Sequence, residues 1–430
     1  MRSFPFTFLL QTIAKKTKII LGPEIFLGGI NMPRALWILV IGMAINVTGA
    51  ALLWPLNTIY VHEHLGKSLS VAGFVLMLNS AVSIIGNLVG GILFDKIGGF
   101  KSVMLGITTS MFALVGLVFF HGWPHYAIFL ALIGFGVGII FPVCYAYAGA
   151  IWPEGGRRAF NALYVAQNVG VAVGAALGGL IASFSFEYIF IGNTLMYVLF
   201  FLIMFFGLKN VKANGTPAAG KKKPSVKGIA SRTRWYALVT LCVGYLLCWL
   251  SYVQWTTTIA TYTQELSISL KQYSLLWTIN GALIVLGQPL LSKLLGRWMD
   301  RLKLQMLVGF AIFTVSFVIL LKANLFWHFV IAMVVLTIAE MLVWPVVPTV
   351  ASNLAPEGRE GFYQGFVNST ATAGRMIGPL LGGFIVDIAG MKPLLTLLIV
   401  FLLICIFTTF IYDRKLKMEE QQKKEAIPIV

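Results

Sequence analysis

Charge is scarce in this 430-residue chain. Only 11% of its residues are Asp, Glu, Lys or Arg, whereas 58% are hydrophobic. A soluble domain carries roughly 25% charged residues, so the composition argues against a water-covered globule. Acids are the scarcer sign, 15 against 32 Lys and Arg. The four cysteines, Cys144, Cys242, Cys248 and Cys405, form no Cys-x-x-Cys pair and all fall inside apolar runs. They read as small buried residues rather than as metal ligands or a redox couple. Four of the five histidines, His62, His64, His121 and His125, fall between apolar runs, and His328 opens one. No metal site and no cofactor is expected. There is no Walker loop, so ATP is not the direct energy source. No nucleophile–base constellation points to an enzyme, and no large polar segment could fold as the soluble effector domain of a membrane sensor.

What the chain has in abundance is long apolar sequence, with a mean hydropathy of +0.87. A helix needs about 20 apolar residues to cross ~30 Å of hydrocarbon. Twelve such stretches are predicted, at 35–60, 69–94, 102–120, 126–150, 160–183, 187–208, 235–260, 272–294, 304–321, 327–351, 362–388 and 392–412. Backbone groups in lipid must be satisfied internally, so these are helices; they are too long and too uniformly apolar for barrel strands.

The net charge of +17 follows the predicted topology. Of the 32 Lys and Arg residues, 27 fall on the side of the loops after helices 2, 4, 6, 8 and 10 and of both chain ends. Four, Lys67, Lys271, Lys322 and Lys392, fall on the other side, and Arg375 lies within a helix. This asymmetry predicts both termini in the cytoplasm of a multi-pass plasma-membrane protein, and removes the need for a nucleic-acid partner. The domain plan is a 1–34 extension, a 35–208 six-helix bundle, a 209–234 basic linker, a 235–412 six-helix bundle and a 413–430 tail. The linker reads as flexible and self-repelling, and the tail as short, charged and mobile. Met32-Pro33-Arg34 resembles a natural start, which makes the upstream residues an expected artefact of an earlier start codon.

The two halves repeat. Phe141-Pro142-Val143 and Trp152-Pro153-Glu154-Gly155 recur as Trp344-Pro345-Val346 and Ala355-Pro356-Glu357-Gly358, an offset of 203. A glycine ladder, Gly170, Gly174, Gly178 and Gly179, recurs 204 later as Gly374, Gly378, Gly382 and Gly383, with Pro379 after Gly378. Asn79 and Asn280 match at 201. The loop after helix 2 carries Gly91, Asp95, Lys96 and Gly98; the loop after helix 8 carries Gly296, Asp300 and Arg301. Each places a glycine for close helix approach and an acid–base pair at the membrane edge. Such an acid can meet the positive N-terminal end of a neighbouring helix and hold one closure of a moving structure. Internal repeats of this length let membrane transporters build a midplane site between their halves.

Glu340 and Arg375 are the main charges near helix centres. Ionisable groups at that depth cost at least ~2.5–3.5 kcal/mol, so by default they are functional. Counting from the intervening loop puts both about 20 Å deep at 1.5 Å per residue, which makes a pair feasible. Desolvation alone would let Glu340 carry a proton; a close Arg375 would hold it charged. Proton coupling therefore needs the pair to separate, and a pair that never separates is structural. The rest of the candidate cavity is aromatic and weakly polar: Asn57, Asn79, Tyr164, Gln167, Asn168, Tyr252, Gln254, Trp255 and Asn280. Aromatic walls with few fixed charges suit amphipathic or cationic organic molecules, with Glu340 as counter-ion. The asparagines serve equally as ties between helices.

Gly91-x-Leu93-x-Asp95-Lys96-x-Gly98 resembles the loop 2–3 signature of the major facilitator superfamily, and the resemblance covers nearly the whole chain from about residue 33. Gly374-x-x-x-Gly378-Pro379-x-x-Gly382-Gly383 matches that family's antiporter glycine motif, on helix 11 rather than helix 5. On helix 5 alanine stands where the motif has proline. The resemblance implies an all-α fold of two pseudo-symmetric six-helix bundles, an alternating-access monomer, and a glycine face that seals the cavity between the halves. Glu340 followed by Pro345, Pro348 and Pro356-Glu357 resembles the drug:proton antiporter branch, although helix 4 lacks that branch's usual arginine. It implies proton-coupled efflux of drug-like compounds. Transport of a specific metabolite or lipid precursor is the alternative, and a non-transporting membrane sensor a third reading.

Overall fold

The computed structural model describes residues 32–182, 184–211 and 232–425. Residues 1–31, most of the linker and the last five residues lie outside that set, so the expectations about the upstream extension and the linker fall outside the described residues. Every described element is a helix or a turn, with no strand among the described residues. Twelve segments are long and apolar enough to cross a membrane. They are α1 (Arg34–Leu53), α2 (Leu69–Ile97), α3 (Gly99–Phe119), α4 (His125–Ile151), α5 (Arg157–Ala182), α6 (Phe186–Leu208), α7 (Arg232–Tyr252), α8 (Leu270–Leu295), α9 (Leu302–Leu321), α10 (Phe326–Val343), α11 (Glu360–Ala389) and α12 (Met391–Ile411).

The repeat reaches down to local capping. Ser68 accepts the Val71 N–H at the start of α2, and Ser269, 201 residues later, caps α8 in a reciprocal box with Gln272. Each serine satisfies a backbone donor that the first turn of a helix otherwise leaves open.

Three spans, Arg34–His64, Arg232–Glu265 and Phe326–Leu354, remain single spans but change their helical winding partway. The chain leaves α1 at Trp54 through short turns ending at His64, and leaves α7 through Val253–Thr256 and Thr258–Glu265. After α10 it turns at Trp344-Pro345 and resumes as Val346–Leu354. The prolines explain the contrast with the other half. Pro345 and Pro348 remove two backbone donors within one turn, whereas α4 carries the single matching Pro142 and runs on to Ile151.

α1–α6 enclose one apolar core and α7–α12 a second. In the first, α2 packs on α4, α1 on α5 and α6, and α3 on α4 and α6; in the second, α8 packs on α10, α7 on α11 and α12, and α9 on α10 and α12. The pairings correspond one for one at an offset of six helices. The two bundles meet along α2–α11 and α5–α8, with α4 also reaching α11.

The glycine ladders work inside the bundles. A Cβ on Gly170, Gly174 or Gly178 would strike the α1 backbone at Ala44, Thr48 or Leu52, and one on Gly374, Gly378 or Gly382 would strike Trp249 of α7 or Val253 or Gln254 just after it. The small faces thus admit α1 and α7 closely. They pack against neighbours of their own bundle rather than along the α2–α11 and α5–α8 seam. Gly383 faces open space; Pro379 is absorbed within α11.

The tail, expected to be mobile, opens as a helix, α13 (Arg414–Glu425). Asp413 anchors it by ion pairs to Lys303 of α9 and, at 2.9 Å, to Lys417. The end of the molecule that carries α13 and the loops after α2, α4, α6, α8 and α10 is called the basic end below.

Candidate functional site

Glu340 sits where the two bundles meet. It is 2% exposed. Asn280 of α8 donates to one carboxylate oxygen at 3.0 Å, and the Tyr164 hydroxyl of α5 stands 3.5 Å from the other. Tyr252 and Trp344 lie next in range. Asn280 also donates to Thr337 at 2.9 Å, which fixes the amide between two positions of α10 one turn apart. Tyr164 is a residue of the first half that packs into the core of the second. At the next residue of α10, Arg157 of α5 donates to the Met341 carbonyl at 2.9 Å, and Gln288 of α8 donates to the same carbonyl at 3.3 Å and to Asn161 of α5. Residues 340–341 are therefore the point on α10 where α5 of the opposite half takes hold.

Arg375 does not pair with Glu340. Ion pairs among the described residues include His121–Glu187, Lys303–Asp413 and Lys417–Asp413, and none joins Arg375 to an acid. The Arg375 guanidinium rests 4.8 Å from the ring centre of Trp249 and donates to the Thr372 hydroxyl at 3.2 Å. Trp249 in turn stacks on Trp344, 4.7 Å away and 8° from parallel. Two stacked indoles thus connect the arginine to the helix that carries the acid. Tyr145 of α4 and Tyr245 and Tyr252 of α7 are within electrostatic reach of the guanidinium, so it lies between the halves. Unlike Glu340, Arg375 is exposed.

The other cavity candidates divide. Tyr164, Asn280 and Tyr252 gather around Glu340. Gln167 donates to the Tyr145 hydroxyl at 3.0 Å, and Asn168 to the backbone of Tyr164 at 2.8 Å, both half-buried on α5. Four lie elsewhere, inside a single bundle. Asn57 accepts the Tyr126 hydroxyl at 2.6 Å, and Asn79 donates to the Leu130 carbonyl at 2.6 Å. Gln254 donates to Gly378 and accepts from Thr258, and Trp255 is fully enclosed. The three amides tie neighbouring helices together, as polar groups in a low-dielectric interior must.

The basic end is shut by α2 and α11. The two carboxylate oxygens of Asp95 accept the backbone N–H groups of Gly361 and Phe362 at 2.8 and 2.9 Å. These donors belong to the first turn of α11, where helical geometry leaves N–H groups unpaired and the dipole favours an anion. Gly91 faces Gly361 directly, Gly98 ends α2 with φ of +84°, and Lys96 is exposed beside them. Asn87 adds a bond to Thr372 at 3.3 Å. Among the described residues, all hydrogen bonds between halves lie between this end and the middle of the bundle.

The matching loop makes no such contact. Asp300 is exposed and has no hydrogen bond among the described residues; Arg301 lies 5.7 Å over Trp298, and Gly296 has φ of +42°. The reason is a break in the repeat. At the 204 offset, Gly361 corresponds to Arg157. Its side chain bars the close approach that Gly91 and Gly361 make, and reaches to Met341 instead. The α5–α8 seam is carried by Asn161 with Ser292, 3.4 Å apart, and with Gln288. Arg157 and Gln288 were not among the predicted site residues; a charged side chain where the repeat places glycine was the available signal.

The sequence profile of the Major Facilitator Superfamily matches residues 39–295 and 246–429. The chain is 60% identical over 395 residues to an uncharacterised MFS-type transporter, YttB, of Bacillus subtilis, covering 92% of this chain and 99% of that one. It is 26% identical to a Na(+), Li(+), K(+)/H(+) antiporter of Planococcus maritimus, covering 81% and 88%. It is 23% identical to the quinolone resistance protein NorA of Staphylococcus aureus, covering 83% and 91%. Among solved structures, it resembles the human organic anion transporter MFSD10, with a TM-score of 0.72, 16% identity and coverage of 88% and 100%.

Proposed function

The chain belongs to the major facilitator superfamily, and from that premise we propose that it exports amphipathic, drug-like compounds in exchange for protons, with Glu340 as the proton carrier. The proposal includes its placement in the plasma membrane with the basic end in the cytoplasm, which the distribution of Lys and Arg supports. The contact that carries the reading is Tyr164–Glu340, which joins an ionisable carboxyl of one half to a side chain of the other. If the halves rock about the midplane, Tyr164 and Arg157 leave with α5 as the cytoplasmic end opens. Glu340 then loses its cover and meets water from that side. A carboxyl sealed in one conformation and uncovered in the next exchanges its proton with one compartment at a time, which is what coupling requires. Distant similarity to a proton-linked cation antiporter and to a quinolone resistance protein supports the reaction class.

The test is export of ethidium, Hoechst 33342 and a fluoroquinolone from loaded cells, with and without a protonophore. The wild type should export at least one of them in a protonophore-sensitive manner, and Glu340→Gln should lose that component. Export that persists unchanged in Glu340→Gln removes the proton-carrier role. Failure of the wild type to export any of the three favours a dedicated metabolite.

A further inference from the structure

We propose that Arg375 is the substrate's charge-recognition site, and that the substrates carry a carboxylate or similar oxyanion on a planar aromatic body. The inference rests on the transporter reading above and specifies its substrate class. Two charges are available near the middle of the membrane, and the conformation presents only one of them. Glu340 is enclosed, with its oxygens facing Asn280 and Tyr164. It offers no counter-ion to a cation in this state. Arg375 keeps accessible surface although it is deeply surrounded, as a side chain lining a space between the halves would be, and no acid forms an ion pair with it among the described residues.

An uncompensated guanidinium at this depth is expensive unless water or an anion meets it. It has five N–H donors in a planar fork that matches a carboxylate. One of its nitrogens is engaged with Thr372, which leaves the remaining donors for a ligand. Around it stands an aromatic wall: Trp249, half-buried under the guanidinium and stacked on the buried Trp344, with the buried Tyr245 and the half-buried Tyr252 edge-on to both. A flat ring bearing an oxyanion could lie beside the guanidinium, against the half-buried Tyr145, Trp249 and Tyr252, while its charge meets the fork. A lipid phosphate is a poor alternative occupant. Arg375 is one residue further along α11 than Gly374, fifteen residues from the helix start at Glu360, hence about 20 Å from the basic end at 1.5 Å per residue, below the level of headgroups.

The experiment is equilibrium binding to the purified full chain in phosphatidylcholine nanodiscs, without any gradient. The probes are 2-naphthoate, its methyl ester and 2-naphthylmethylammonium, followed by calorimetry. The wild type should bind naphthoate at least tenfold tighter than the ester and the ammonium. Arg375→Gln should remove that preference while leaving ester affinity within about twofold, and Arg375→Lys should restore part of it. Loss of ester and naphthoate binding in equal measure would assign Arg375 to structure instead. No preference for naphthoate in the wild type, or preference for the ammonium, overturns the proposal. Thermal melting of each variant separates misfolding from lost recognition. Because no gradient is applied, failed export or failed proton coupling in cells leaves this result intact, and the two readings fall separately.

Discussion

Gly91 of α2 and Gly361 of α11 cross so closely that a Cβ on either would fall on the carbonyl oxygen of the other. They belong to different halves, so the collision would be between backbones, which cannot rotate aside as side chains can. Gly91→Ala and Gly361→Ala are therefore each expected to hold the basic end apart and to reduce export at least tenfold. Gly281→Ala is the control. It lies within α8 with nothing within 4 Å of the added atom, and alanine should stabilise the helix by ~0.5–1 kcal/mol. Export rates together with melting temperatures in detergent check the set; a Gly91→Ala protein that exports normally would show that this crossing does not have to close.

Asp95 makes the corresponding electrostatic prediction. Hydrogen bonds to a charged group contribute ~1.5–3 kcal/mol each, and Asp95 accepts two from the first turn of α11. Asp95→Asn keeps the shape but removes the charge, and should shift the closed-to-open ratio of the basic end by roughly tenfold or more. Asp300→Asn, at the matching but unengaged position, should leave it unchanged. Spin labels at Lys96→Cys and Glu357→Cys, both exposed positions, read the distance between α2 and α11. The native cysteines are all buried and should not compete for the label. Equal effects from the two aspartates would contradict the one-sided switch.

The residues show why some of this was legible in the sequence and some was not. The twelve spans and the two-bundle plan follow from apolar length and from the repeat, which are properties of composition and spacing. Asp95 at a helix N-terminus was legible because an acid at a membrane edge has few other uses. The depth of Glu340 and Arg375 was legible from residue counts along the helix. Their direction was not, because the rotation of a helix about its axis is set by packing, here by Trp249 and Trp344 drawing the arginine away from the acid. Whether the amides Asn57, Asn79 and Gln254 line a cavity or tie helices together was not legible for the same reason: a polar side chain in an apolar helix looks the same whether it faces water or a neighbouring carbonyl. Asp300 misled because the repeat was taken as symmetric, whereas one substitution in it, Arg157 for Gly361, changes the seam.

The glycine motif on α11 contains two adjacent glycines with different surroundings. A Cβ on Gly382 would strike the side-chain oxygen of Gln254, which also accepts from Thr258 while its amide holds the Gly378 carbonyl. A Cβ on Gly383 would meet nothing within 4 Å. Gly382→Ala should break this tie between the turn after α7 and α11 and destabilise the protein by ~1–3 kcal/mol, the scale of overpacking and of a buried polar group left unpaired. Gly383→Ala should melt at or slightly above the wild-type temperature. If both variants melt alike, close packing at Gly382 is not what the motif supplies here.

Tyr164 and Asn280 both attend Glu340, but only one of them travels with it. Asn280 and Glu340 belong to the same bundle, so their bond persists whichever end is open; Tyr164 belongs to the other and can stay only while the basic end is shut. The two partners should therefore fail differently. Tyr164→Phe removes a group that acts in one conformation, and should shift the spin-label distribution toward the open basic end by less than tenfold, given the long 3.5 Å contact and the ~0.5–1.5 kcal/mol of an ordinary hydrogen bond. Asn280→Ala removes a group that acts in both, and should leave that distribution in place while lowering the protonophore-sensitive fraction of export. Distances between labels and export in the same variants separate the two effects. A conformational shift from Asn280→Ala equal to that from Tyr164→Phe would mean that Glu340 is held by packing alone, and that the seam does not govern when its proton leaves.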